Sequence, residues 1–261
     1  MYQGDFSTRF GTMKYFVEGS GGEFAVLLQG WATKRELYDG IISLLAKRYT
    51  VVFPALHGFG DSGEPSEPMS VSDYAEAVNS LLEALGVKKA VFFCHSYGGR
   101  VFYKLNAMDG RFTEPARVIL CDVAGIVPKK SLKKRIKLKV FRLGRRFLEW
   151  APLKKLFPNL LDSLRSKSGS SDYSAASPVM RETLVLAVNE DLSHLVPFIT
   201  APTLIMWGRA DDAVPLSDAY FIESRLSDGA VVVFEASAHF PFITESDRFF
   251  AVTRSFFEIH Q

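Results

Sequence analysis

The sequence predicts an α/β protein: a mostly parallel sheet flanked by helices, with a helical insertion between two halves of that sheet. Three observations carry this expectation. Short apolar runs alternate with longer stretches of helical period, the rhythm of strands joined by crossover helices. The rhythm breaks after Val123, and no strand-like run occurs until Thr203. The intervening segment is helical in period and punctuated by Pro152, Pro158 and Pro178.

The elements follow in order. Met13–Glu18 reads as an early strand ahead of the turn Gly19-Ser20-Gly21-Gly22, and Phe24–Leu28 as a buried strand. A helix is expected around Leu37–Lys47, a strand at Thr50–Pro54, and an amphipathic helix over Ser72–Leu85 opened by Ser72 and Asp73. Ala90–Cys94 is a strand, Tyr97–Met108 a helix and Val118–Asp122 a strand. After the insertion come the strand Thr203–Trp207, a helix near Leu216–Leu226, the strand Ala230–Phe234 and a last helix from about Ser246. This assigns residues 1–122 and 198–261 to the core, with 123–197 as a helical cap, or lid, over the strand ends.

A chain of 261 residues suits one such domain and its insertion. The formal net charge is only +2, but residues 129–157 hold twelve Lys or Arg against one acid, Glu149. The positive charge is local, which argues against a nucleic-acid partner. Within that stretch Leu132, Ile136, Val140, Leu143 and Phe147 recur at helical spacing, with Lys133, Lys134, Lys137 and Arg145 largely between them. The pattern gives a basic face that is either simply solvated or meets an anionic or amphiphilic substrate or a membrane surface. The N-terminal MYQGDFSTRFG has no signal-peptide core, and no run approaches a membrane span. Cys94 and Cys121 make neither a disulfide framework nor a metal spacing, so they read as buried thiols. A cytoplasmic protein without metal or cofactor is the expectation, its oligomeric state open.

The chemistry concentrates at strand ends. In CHSYGG, Cys94–Gly99, Ser96 stands between a strand and a helix, the setting of a nucleophile elbow rather than of a plain helix N-cap. The sharp turn needs small residues two before and two after the serine, and Cys94 and Gly98 occupy those places. Ser96 then needs a base, and His239, in ASAHFPF after the strand Ala230–Phe234, offers one. His95 is inside the elbow and should point away from Ser96; His194 is in the insertion and His260 terminal. His57, in ALHGFGDSG, could approach the rim of the site. An orienting acid comes from Asp211 or Asp212 in WGRADDAVP, or from Asp122 at the end of its strand. Backbone N–H groups of Trp31, after Gly30 in LLQGW, and of Tyr97 could hold an oxyanion, with Gly30, Trp31 and Tyr97 also lining the substrate.

Together LLQGW, FPALHGFGDSG, CHSYGG and WGRADDAVP…AHFPF resemble the α/β-hydrolase superfamily over nearly the whole chain. The resemblance implies a single-domain serine hydrolase with a helical cap, and a triad of Ser96, Asp211 and His239. It favours Asp211 because the family acid commonly falls three residues after the strand-ending glycine, here Gly208. Gln29, His57 and Cys94 stand where relatives usually have His, Pro and Gly. The implied reaction is acyl transfer on a small-molecule ester. Relatives of this layout also cleave carbon–carbon bonds of dienoic ring-cleavage products, and some only bind a small ligand.

Overall fold

The computed structural model describes residues 1–127 and 171–259. The basic stretch 129–157 with its expected amphipathic helix lies outside the described residues, as does His260. Eight strands form one sheet: β1 (Tyr2–Thr8), β2 (Gly11–Glu18), β3 (Glu23–Leu28), β4 (Tyr49–Pro54), β5 (Lys89–His95), β6 (Glu114–Cys121), β7 (Thr203–Gly208) and β8 (Gly229–Phe234). Their order is β1-β2-β4-β3-β5-β6-β7-β8. The β1–β2 and β2–β4 pairings are antiparallel; every pairing from β4 to β8 is parallel.

The helices are α1 (Asp39–Leu45), α2 (Val71–Ala84), α3 (Tyr97–Asn106), α4 (Ser171–Ala175), α5 (Pro178–Asn189), α6 (Leu216–Glu223), α7 (Pro241–Thr244) and α8 (Ser246–Phe256). Side chains alternate across a strand, so neighbouring residues of one apolar run serve two cores. Val26, Leu28, Phe92, Cys94, Val118, Leu120, Ile205 and Trp207 face the core shared with α2, α3, α5 and α6. Ala25, Leu27, Val91, Phe93, Ile119, Cys121, Leu204 and Met206 face the core shared with α1, α7 and α8. Burial on both faces explains why these strands read as continuous rather than alternating apolar runs.

Three expectations change. The N-terminal β1 was not expected, because Tyr2–Thr8 is mostly exposed and carries little apolar pattern. It pairs in full register with β2 across a two-residue loop whose exit, Gly11, has a φ of 117°. Helix α2 starts at Val71 and is capped by Ser70 rather than Ser72: the Ser70 hydroxyl accepts from Asp73 N–H, and the Asp73 carboxylate accepts from Ser70 N–H. The helix expected over Leu37–Lys47 is shorter, with a 3₁₀ turn, Arg35–Tyr38, leading into α1. In the described part of the connection between β6 and β7, α5 packs on α3 and the sheet's core. Arg100 of α3 donates to Ala187 O at 2.6 Å and Glu190 O at 3.0 Å, and Thr183 Oγ1 accepts from Met69 N–H at 3.1 Å.

Candidate active site

The parallel strands end at one edge of the sheet, and the residues of interest follow those ends. The register that pairs Leu28 with Cys94, His95 with Cys121, Cys121 with Met206 and Gly208 with Phe234 puts the loops after β3, β5, β6, β7 and β8 side by side.

Ser96 has φ 50° and ψ −111°, a backbone state that L-residues rarely adopt. Three bonds hold it there: Ser96 N–H donates to Cys121 O at 3.1 Å, and Ser96 O accepts from Gly99 N–H at 3.1 Å and Ala124 N–H at 2.9 Å. The glycine two residues on is a packing necessity, since a Cβ on Gly98 would lie 2.1 Å from Leu28 O. Cys94, two residues before, is fully buried and fits.

The Ser96 hydroxyl donates to His239 Nε2 at 2.9 Å, and His239 Nδ1 donates to Asp211 Oδ2 at 2.7 Å. The other Asp211 oxygen accepts from Ala213 N–H at 2.8 Å and Val214 N–H at 3.0 Å. Gly208 allows the two loops to cross: a Cβ there would be 1.9 Å from Ala238 O. Ala210 N–H donates to Ser237 O at 2.9 Å across the same crossing. Burial works against the Asp211 charge, but the His239 ring and the two N–H groups hold its pKa below the usual carboxylate range. Burial likewise opposes the His239 cation, and the Asp211 carboxylate overcomes it, so the imidazole pKa lies above its usual value.

The remaining candidates separate clearly. Asp212 is exposed. Asp122 is fully buried, its Oδ1 accepting from Gly208 N–H at 2.9 Å and its Oδ2 from the Cys121 thiol at 3.2 Å. One oxygen of each of Asp122 and Asp211 and one nitrogen of His239 lie within 4.8 Å of one another. Burial raises the Asp122 pKa to about 7. His57 does not reach the rim; it is fully buried, with Nε2 2.8 Å from Thr8 Oγ1. His194 is exposed in the 3₁₀ turn Ser193–Phe198. Cys94 and Cys121 are buried free thiols whose burial pushes their pKa values up, which keeps them inert.

Gly30 lies beside the elbow: a Cβ on it would sit 3.4 Å from Ser96 Cβ. Trp31 is partly buried and stacks edge-on against Tyr97 and Phe59, at 5.3 and 4.8 Å between ring centroids. Among the described residues no protein acceptor takes the backbone N–H of Trp31 or Tyr97. Two residues outside the expected triad belong to the surroundings of the site. Tyr38 gave no signal beyond an ordinary helix position, and His95 gave only its place in the elbow.

An elbow serine, an imidazole and a buried carboxylate at the carboxyl edge of a mostly parallel sheet are the arrangement of an α/β hydrolase. Residues 25–252 match the model of the alpha/beta hydrolase family, and the chain belongs to that family. It is 27% identical over 260 residues to the pimeloyl-[acyl-carrier protein] methyl ester esterase of Aliivibrio fischeri strain MJ11, an alignment covering 93% of this chain and 96% of that protein. Its fold is similar to that of a hydrolase from Pseudomonas aeruginosa PA01, with a TM-score of 0.73, 18% identity and 98% of both chains covered. It is similar also to an esterase from Exiguobacterium antarcticum, with a TM-score of 0.72, 21% identity and 97% and 98% of the two chains covered.

Proposed function

We propose that the protein hydrolyses a carboxylic ester through an acyl-enzyme on Ser96. The observation that carries the reading is the unbroken line of bonds from Ser96 through His239 to Asp211, at 2.9 and 2.7 Å, on a strained elbow. Ser96 Oγ attacks the ester carbonyl as His239 Nε2 takes its proton. Asp211 keeps the remaining ring proton on Nδ1 and stabilises the imidazolium. The N–H groups of Trp31 and Tyr97 receive the negative charge that develops on the carbonyl oxygen. His239 returns the proton to the departing alcohol. A water, deprotonated by the same nitrogen, then splits the acyl-enzyme and releases the acid. The esterase of Aliivibrio fischeri supports the substrate class.

Ser96→Ala is expected to abolish turnover of short aryl esters and labelling by a fluorophosphonate probe, with the melting temperature near that of the parent. Labelling of the parent that persists in this variant would remove Ser96 from the chemistry. A parent protein that neither turns over nor labels would be a ligand-binding member of the fold.

A further inference from the structure

Resting on the function proposed above, we propose that Tyr38 and His95 are positioning residues: one directed hydrogen-bond chain ties the oxyanion loop to the backbone of the catalytic base. Five contacts define it. Gly30 N–H donates to Tyr38 Oη at 2.8 Å. Tyr38 Oη is 2.9 Å from His95 Nδ1. His95 Nε2 is 3.0 Å from His239 O. Thr33 Oγ1 donates to Gly30 O at 2.9 Å and also lies 3.0 Å from Tyr38 Oη.

The direction of every bond follows from one end. A carbonyl oxygen only accepts, so His95 Nε2 carries a hydrogen. The ring is fully buried, and burial drives its pKa down to about 3, so it is neutral and Nδ1 has a free lone pair. Tyr38 therefore donates to Nδ1, and its oxygen accepts from Gly30 N–H. Reversing the Tyr38–His95 bond would set a bare Nε2 against the His239 carbonyl, acceptor against acceptor, while the single Thr33 hydrogen is shared between Gly30 O and Tyr38 Oη. The His95 ring has no room to turn away: Phe240, Phe242, Tyr38 and His239 surround it at 5.0 to 5.8 Å between centroids. Gly30 is small for the same reason, since a Cβ there would press to 2.9 Å from His95 Nδ1.

The chain acts at both ends of the reaction centre. The peptide between Gly30 and Trp31 is planar and trans, so its C=O and N–H point in opposite directions. Thr33 fixes the Gly30 carbonyl and Tyr38 the Gly30 N–H, which together aim the Trp31 N–H. At the other end, His95 holds the carbonyl of His239 while Asp211 and Ser96 hold its ring. The base is thus fixed by backbone and side chain at once. A donor and a base that drift relative to each other lose the transition state far more than they lose bound substrate.

Two measurements on the full chain test the proposal. The first is the tautomer, read from long-range proton–nitrogen NMR spectra of histidine-labelled protein. His95 is expected as the Nε2–H form, neutral and not titrating between about pH 5 and pH 9. An Nδ1–H or titrating His95 overturns the chain whatever the enzyme does. The second is kinetic, with Tyr38→Phe, His95→Phe, His95→Gln and the Tyr38→Phe/His95→Phe double variant. Each of the first two is expected to lower kcat about tenfold to a hundredfold with KM nearly unchanged. His95→Gln, which retains a donor for the His239 carbonyl, should recover part of the loss. The double variant should be little worse than the poorer single one, because both break the same chain. Folded single variants with parental kcat, or losses that simply multiply in the double, would overturn it while Ser96→Ala still abolished turnover. Failure of the esterase reading appears separately, as absent turnover and labelling in the parent.

Discussion

At the scale of residues, Asp122 and Asp211 set two carboxylates beside one imidazole, and their surroundings sort them. Asp211 receives two backbone N–H groups and the His239 ring, which keep it charged. Asp122 receives one N–H and a thiol and is more completely shut from water, so its pKa rises to about 7. A buried acid whose folded pKa is raised stabilises the fold while protonated, and that contribution fades as pH rises through the folded value. Asp122→Asn mimics the neutral acid at every pH. Its melting temperature relative to the parent is therefore expected to improve between about pH 4 and pH 8. A difference constant across that range would mean that Asp122 is charged throughout. The resemblance to α/β hydrolases implied Ser96, Asp211 and His239, which the structure brings within hydrogen-bond reach. The same reading could not separate Asp211 from Asp122 by chemistry, because the difference lies in which backbone amides turn toward each carboxylate. Tyr38 was illegible for a similar reason: its hydroxyl matters only where the chain folds it against His95, 57 residues later.

At the scale of elements, apolar runs and helical periods were easy to read where strands are buried on both faces. They failed for β1, whose contribution is backbone pairing along an edge. They failed also for the fate of His57, which faces β1 and pairs with Thr8 through Nε2 instead of reaching the site. The junction between α3 and α5 was equally silent in the sequence. Arg100 directly follows the elbow glycines, yet its guanidinium closes the C-terminal end of α5, adding a donor to Ala187 O beside the Glu190 N–H and taking up Glu190 O. Nearby, Lys104 pairs with Glu190 at 2.6 Å. Arg100→Met keeps much of the packing and removes the donors. It is expected to lower stability by about 1–3 kcal/mol in urea unfolding, since it removes the guanidinium from both carbonyls and leaves Ala187 O with only the Glu190 N–H at 3.2 Å. An unchanged midpoint would show that α5 is held by its apolar contacts alone.

At the scale of the whole molecule, neighbouring residues of the central strands serve separate cores, while the loops at their carboxyl ends share one site. That division makes the fold legible from short runs and the site legible only in part. Among the described residues no helix is long and apolar enough to cross a membrane.

The position of β8 carries a further consequence. It is both an edge of the sheet and the last strand of the chain, and His239 follows it by five residues. Chains emerge from synthesis N-terminus first. A growing chain that has laid down β1 to β6 already holds Ser96, the Gly30–Trp31 loop and Asp122, but not His239. On the mechanism proposed above, Ser96 gains its base only once β8 and the loop that carries His239 have been made. The same order should appear when denatured protein is returned to buffer. Fluorescence of the buried Trp207, packed in the interior of β7, is expected to recover before Ser96 regains its reactivity toward a fluorophosphonate. Simultaneous recovery of the two signals would show that β8 docks together with the rest of the sheet.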